Sequence, residues 1–227
     1  MARNTKEEAL VTRSRILDAA EHLFQQQGVA GTSLQAIAVA AEVTRGAVYW
    51  HFADKADLFN AMMQRVCLPI EKTASLLLGD ESRDPLLRLR TLMLGIFERV
   101  VGDPQVRRVF EVATQKVEYV DELLAVRERH VQMRTEHVDQ LERLLRRAQR
   151  SGVIAATPSA RHMAFALHSL LDGLIQNWIL EPGAFDLLRV GAHAVDTQLA
   201  GLARPQATAK KAPSGRVKKK APSRPRP

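Results

Sequence analysis

Residues 44–55, Thr-Arg-Gly-Ala-Val-Tyr-Trp-His-Phe-Ala-Asp-Lys, crowd an arginine, three ring side chains that carry polar atoms, and a lysine into one short stretch. An arginine fork can address a base edge, while hydroxyl and ring N–H groups can hold phosphates. Residues 32–43, Thr-Ser-Leu-Gln-Ala-Ile-Ala-Val-Ala-Ala-Glu-Val, lie directly upstream. Together the two stretches read as a pair of short helices joined by a tight turn, the second suited to a DNA major groove. The candidate nucleic-acid contacts are Thr32, Ser33, Thr44, Arg45, Gly46, Ala47, Tyr49, Trp50, His51 and Lys55. Arg45 is the candidate base reader; Tyr49, His51 and Lys55 are candidates for phosphate. The alternative is a packed helical pair with no nucleic-acid role.

Local signals place these residues. Thr32 or Ser33 can cap the first helix, and Gln35 follows Thr32 at capping-box spacing. Leu34, Ile37, Ala38 and Ala41 then share one face. Val43 can plug the corner between the helices. Thr44 is the next cap, and its helix runs to about His51. Val48 and Ala47 point inward, leaving Arg45, Gly46, Tyr49 and His51 outward. Gly46 offers no side chain to hold off a phosphate backbone. Asp54 caps the following helix.

These phrases, with Met-Ala-Arg-Asn-Thr-Lys-Glu-Glu-Ala at 1–9, resemble the DNA-binding domain of the TetR family, and within it the AcrR and TtgR group of efflux-pump repressors. The likeness covers residues 5–60. One departure is Glu42, where the family usually has glycine in the turn; if the position needs a positive φ, glutamate is strained there. The resemblance implies an operator-binding dimer with a four-helix interface and an apolar effector cavity. By likeness, the candidate cavity residues are Cys67, Ile70, Leu92, Ile96, Phe110, Thr114, Met133, His137, Phe165, His168, Leu171, Asp172 and Gln176. Phe110 and Phe165 also fit a plain core. Asp172 sits inside the apolar run Leu170-Leu171-Asp172-Gly173-Leu174, where a carboxylate needs partners or must take up a proton. It can meet a cationic or hydroxylated ligand, or bond a neighbouring helix. Relatives carry His-Lys-Cys where this chain has Gln115-Lys116-Val117, so no ligand preference transfers.

Punctuation gives the remaining architecture. Thr5 with Glu8 can cap the first helix, whose buried face is Ile16, Leu17, Ala20, Leu23 and Phe24, and Gly28 ends it. A long helix runs from Asp54 to about Leu78. Asp84-Pro85, Asp103-Pro104 and Thr157-Pro158 each read as an N-cap followed by proline at the first helical position. Gly79, Gly102 and Gly152 read as helix ends. Pro182-Gly183 stops a helix over 161–181, and Asp186 starts the last. No segment alternates for long with period two, so the fold class is all-α with about nine helices. A helix-turn-helix domain spans 1–53, an effector-binding and dimerisation domain 54–203, and a basic tail 204–227. Leu167, Leu170, Leu174 and Trp178 on one helix, with Leu188, Val195 and Leu199 on the next, are the candidate dimer interface, because a helix apolar on more than one side is buried on more than one side.

The net charge of +8 divides unevenly. Nine basic residues and no acidic ones follow Ala203; with these nine subtracted from +8, the first 203 residues carry −1. DNA affinity in the folded part must therefore come from charge placement. The tail, rich in Pro, Ala, Lys and Ser, has little to bury and is expected to be disordered.

Other chemistries fail on spacing. The seven histidines include no i, i+4 pair beside a carboxylate, so no metal site is expected. No phosphate loop or nucleophile elbow is present, and no cofactor or catalytic residue is assigned. One cysteine, Cys67, excludes an internal disulfide and fits a reducing cytoplasm. It is expected to be buried or cavity-lining rather than reactive. No apolar run reaches the ~18 residues of a membrane span. Two functional classes remain. The first is a repressor released by hydrophobic small molecules, controlling a multidrug efflux operon. The second is an architectural, chromosome-coating protein that uses its basic tail.

Overall fold

The computed structural model describes residues 2–80, 82–118 and 123–203, with side chains from residue 6 onward. The basic tail at 204–227 lies outside the described residues. Among the described residues nine α-helices follow in chain order: α1 (Ala2–Gln27), α2 (Leu34–Ala40), α3 (Arg45–His51), α4 (Lys55–Gly79), α5 (Pro85–Gly102), α6 (Pro104–Gln115), α7 (Leu124–Arg150), α8 (Ala160–Leu180) and α9 (Leu187–Leu202). Among the described residues the one β-type pairing is an isolated antiparallel bridge between Ile154 and Ala203. The all-α architecture therefore matches the sequence pattern.

Side-chain caps set most helix starts. Thr44 Oγ1 accepts from the Ala47 N–H at 3.1 Å, and Asp54 Oδ1 from the Asp57 N–H at 2.7 Å. Asp84 and Asp103 cap α5 and α6 with proline in the first turn, as their dipeptides predict. One start takes the second of its two candidates, and two others differ from expectation. The α2 cap is Ser33, accepting from Ala36 N–H at 3.1 Å, so Thr32 and Gln35 form no capping box. Helix α1 begins at Ala2 and carries Thr5 inside it. Helix α8 begins after Ser159, whose hydroxyl accepts from His162 N–H, and the cis Thr157–Pro158 bond precedes that cap.

Two helices end in the same hydrogen-bond pattern with different residues at its strained position. After α7, Gly152 takes φ 76°; its N–H bonds Gln149 O and the Val153 N–H bonds Ala148 O, each at 3.0 Å. After α2, Glu42 takes φ 54°, and the Glu42 and Val43 N–H groups bond Val39 O and Ala38 O, each at 3.0 Å. Both are Schellman terminations, whose left-handed position usually falls to glycine. At α2 the arginine of a neighbouring helix closes the motif: Arg15 Nη2 donates to Ala41 O at 2.7 Å and to Glu42 Oε2 at 3.1 Å.

Helix α1 buries Ile16, Leu17, Ala20 and Phe24 against α2, α3 and α4, fixing the helix-turn-helix unit. Helix α4 continues from that unit through the rest of the fold, with Pro69 in its interior. Gly191 of α9 lies so close to Phe97 of α5 that an added Cβ would stand 2.6 Å from the ring.

The expected dimer residues separate into two groups. Leu167, Trp178, Val195 and Leu199 are buried in the chain's own core, so they leave little surface for a second copy. Leu170 and Leu174 are half-buried, and Leu188 is exposed. The exposed apolar side chains of α8 and α9 are instead Phe165, Leu180, Leu188 and Val190. A helix apolar on all sides does not reveal in its sequence which stripe its own core takes.

Candidate functional site

Helix α3 presents its polar residues outward because Val48 anchors it. That side chain is fully buried while Arg45, Gly46, Tyr49 and Trp50 are exposed. Trp50 leaves 73% of its surface in solvent, a large apolar exposure that suits a contact made only with a partner present. The Arg45 guanidinium folds back on Tyr49, 5.4 Å from the ring centroid and 3.2 Å from the hydroxyl. His51 meets the Trp50 ring edge-on at 4.5 Å between centroids. Burial, then the nearby Arg13, holds the His51 pKa below its ordinary value. Ala47 is half-buried and contributes backbone and bulk.

Two expected contacts are otherwise engaged. Thr32 is 1% exposed, and its hydroxyl donates to Gly28 O at 2.7 Å. It closes the α1–α2 loop instead of facing DNA. Lys55 donates to Val29 O and Ala30 O, each at 3.1 Å. Its ammonium thus ties α4 to the same loop, although Lys55 stays partly exposed and borders the concavity beside α3. Ser33 remains exposed at the α2 cap. Ser33, Gln35, Arg45 and Tyr49 border one shallow concavity beside α3.

The second site is a partly open cavity of about 570 Å³ lined by α4 to α8. Its apolar side comes from Cys67 and Ile70 of α4, Leu92 and Ile96 of α5, and Phe110 of α6, with Thr114 nearby. Helix α7 adds Met133 and His137; α8 adds His168, Leu171, Asp172 and Gln176. Phe165 does not line it. That ring points outward, 39% exposed, with the Arg161 guanidinium 5.0 Å over its face.

Polar groups gather on the α7–α8 side. Asp172 accepts from Gln176 Nε2 at 3.2 Å, and His137 Nε2 lies 3.6 Å from Glu71. The His137 and His168 rings are 6.4 Å apart. Burial lowers the pKa of His168; Asp172 opposes the shift, while His137 and Arg134 add to it. Burial lowers His130 as well, against the pull of Asp172. Burial, with Glu71, pushes the Cys67 thiol up to about 12, so it lines the cavity as a neutral, weakly nucleophilic group. Among the described residues no group of His, Cys, Asp and Glu is placed to hold a metal, and no helix is long and apolar enough to cross a membrane.

Residues 16–62 match the family model for bacterial regulatory proteins, tetR family, and residues 84–203 match that for the C-terminal region of MAATS-type transcriptional repressors. The chain belongs to the TetR family. It is 38% identical over 190 residues to the HTH-type transcriptional regulator AcrR of Shigella flexneri, covering 82% of this chain and 87% of that one. Among solved structures, NalD, the secondary repressor of the MexAB-OprM multidrug efflux pump in Pseudomonas aeruginosa, superposes with TM-score 0.80 at 36% identity, covering 88% of this chain and all of NalD. SmeT, repressor of the Stenotrophomonas maltophilia pump SmeDEF, has been solved with triclosan. That complex gives TM-score 0.78 at 32% identity, over 94% of this chain and all of SmeT. The relatives give no support to the architectural alternative.

For a TetR-family chain the residues missed in sequence are informative. Arg127, His130 and Arg134 line the cavity alongside His137. Their positions, 127, 130, 134 and 137, repeat at three and four along one face of α7, a polar stripe that the sequence displays. Glu71 follows Cys67 by one turn of α4 and could have been found the same way.

Proposed function

We propose that this chain is a ligand-released transcriptional repressor. Residues 1–53 form its reader and residues 54–203 its effector-binding and dimerisation unit. A two-fold dimer reads a pseudopalindromic operator through α3, which alone is too short to specify a site. Arg45 addresses a base edge, and Ser33, Thr44, Tyr49 and His51 hold the backbone, with Gly46 allowing close approach and Trp50 packing against sugar or base. Phe165, Leu180, Leu188 and Val190, with the partly buried Leu170 and Leu174, form the surface that a second copy covers. The operator controls a multidrug efflux operon, as the repressor roles of NalD and SmeT suggest.

The observation that carries the reading is the cavity on α4. The helix that follows the recognition helix after a three-residue link also supplies Met63, Cys67 and Ile70 to the cavity wall. A hydrophobic small molecule there acts through its differential affinity for the dimer that fits successive major grooves and the dimer that does not. Reciprocity then requires operator DNA to weaken drug binding by the factor by which drug weakens operator binding. Calorimetry with triclosan, on free protein and on protein bound to a duplex selected from a random pool, tests this. Unequal affinities in the expected sense support release; equal affinities rule it out for that compound.

A further inference from the structure

One carboxylate stands where the two sites meet. Glu21 of α1 is 1% exposed. A buried charge of this kind is stable only when it is paired and hydrogen-bonded. Its partners come from two different helices. Arg65 of α4 makes a short ion pair to Glu21 Oε1 and a second one to Asp18 at 2.8 Å. From α6, Gln105 Nε2 donates to both Glu21 oxygens, at 3.1 and 3.2 Å. Arg108 of α6 also faces Glu21, but its Nε stops 3.7 Å from Oε2. That Nε is buried and has no hydrogen-bond partner. The carboxylate is thus hydrogen-bonded by Arg65 of α4 and Gln105 of α6, while the Arg108 guanidinium of α6 is ion-paired to it at 3.7 Å without a hydrogen bond through Nε.

The helix period connects this cluster to the cavity. Residues two apart on an α-helix point to nearly opposite sides. Arg65 lies two positions from Met63 and from Cys67, and Arg108 lies two positions from Phe110; Met63, Cys67 and Phe110 all line the cavity. The two helices therefore carry cavity wall on one face and Glu21 partners on the other. Anything that shifts α6 relative to α4 changes the balance of Arg65 and Arg108 at Glu21. Such shifts at regulated interfaces run to about 1–2 Å. Helix α1 also carries the reader: its Arg15 closes the turn before α3, and its Arg13 lies over the Phe52 ring at 5.1 Å.

We infer that Glu21 is a positioning residue that couples the cavity to the recognition helix, with Arg65 and Arg108 exchanging as its principal partner between the two states of the protein. This deepens the ligand-release reading and rests on it. The two can fail separately.

The test uses full-length wild type, Glu21→Gln, Arg108→Met and the double variant. Thermal melting checks each fold, and calorimetry gives triclosan affinity. Operator affinity is measured with and without saturating triclosan. Wild type should lose operator affinity by a factor of about 5–150. In either single variant that factor should shrink by roughly two- to thirtyfold while triclosan affinity is unchanged. A factor equal to wild type in both variants overturns the inference. Should Glu21→Gln fail to fold, Arg108→Met carries the same comparison, because Arg108 lacks a direct hydrogen bond through Nε. If wild type ignores triclosan, the release reading fails for that compound and the drug-free measurements decide. Single-variant effects on operator affinity that combine non-additively by more than about twofold support the coupling role; additive effects overturn it.

Discussion

The recognition face and the cavity are built in opposite ways. Seven consecutive residues, Arg45 to His51, hold nearly all the chemistry of the first, and one buried side chain, Val48, fixes their direction. The second draws its wall from five helices, and even α7, which supplies the most, gives only eight of its 26 lining residues. A concentrated site changes its specificity through one substitution, whereas a distributed one changes by degrees. A reader must discriminate between similar duplexes, while a sensor of hydrophobic compounds gains from a wall that no single side chain controls.

That contrast predicts a graded series of effects. Arg45→Ala should lose about 1–3 kcal/mol of preference at one base pair in each half-site. Binding-site selection should return a motif degenerate at that position, and recovery of the parental motif would sink the assignment. With Tyr49 holding phosphate as proposed, Tyr49→Phe should weaken all duplexes alike by about 0.5–1.5 kcal/mol. A change confined to one sequence in a competition assay would place Tyr49 among the base readers. On the cavity side, Leu171→Ala should cost about 1 kcal/mol of drug affinity, near fivefold, and leave the selected motif intact. A complete loss of drug binding on calorimetry would make the cavity as concentrated as the reader.

The smallest effect concerns pH. His130 and His168 have folded-state pKa values below the ordinary 6.5, chiefly through burial. The unfolded chain therefore binds more protons as pH falls, and stability present above about 6.5 is lost as pH drops through the folded values. Glu71, Arg127, Arg134, His137 and Asp172 line the same cavity and set the local field. The melting temperature should be flat above neutral pH and decline toward pH 5. His168→Gln should reduce that decline without removing it, since His51 shifts in the same direction. An identical pH profile for the variant would remove His168 from the account.

Sequence alone was a better guide to the reader than to the sensor. The turn, the Thr44 and Asp54 caps and the inward Val48 are local features that report themselves through spacing. Thr32 misled because its chemistry suits DNA, and only the fold shows the Gly28 carbonyl that engages it; the Val29 and Ala30 carbonyls that engage Lys55 are likewise visible only in the fold. In the cavity, likeness to the family placed Cys67, His137 and Asp172 on the wall, but Phe165 is turned outward by Arg161, an α8 residue held by Asp139 and Glu142 of α7. Leu167 and Trp178 show the same limit: apolar periodicity marks burial without saying by which chain.

The glutamate in the α2–α3 turn bears on how this surface changes over generations. A left-handed backbone at a residue with a Cβ costs about 1–2 kcal/mol, and Arg15 meets a side chain there that is 86% exposed, where an ion pair contributes little. One nucleotide separates a glutamate codon from a glycine codon, and glycine is what the matching turn at position 152 carries. The lineage thus has, one mutational step away and off the DNA-facing residues, a reserve of stability. That reserve can offset destabilising changes at Arg45, Tyr49 or Trp50 while a new operator is being learned.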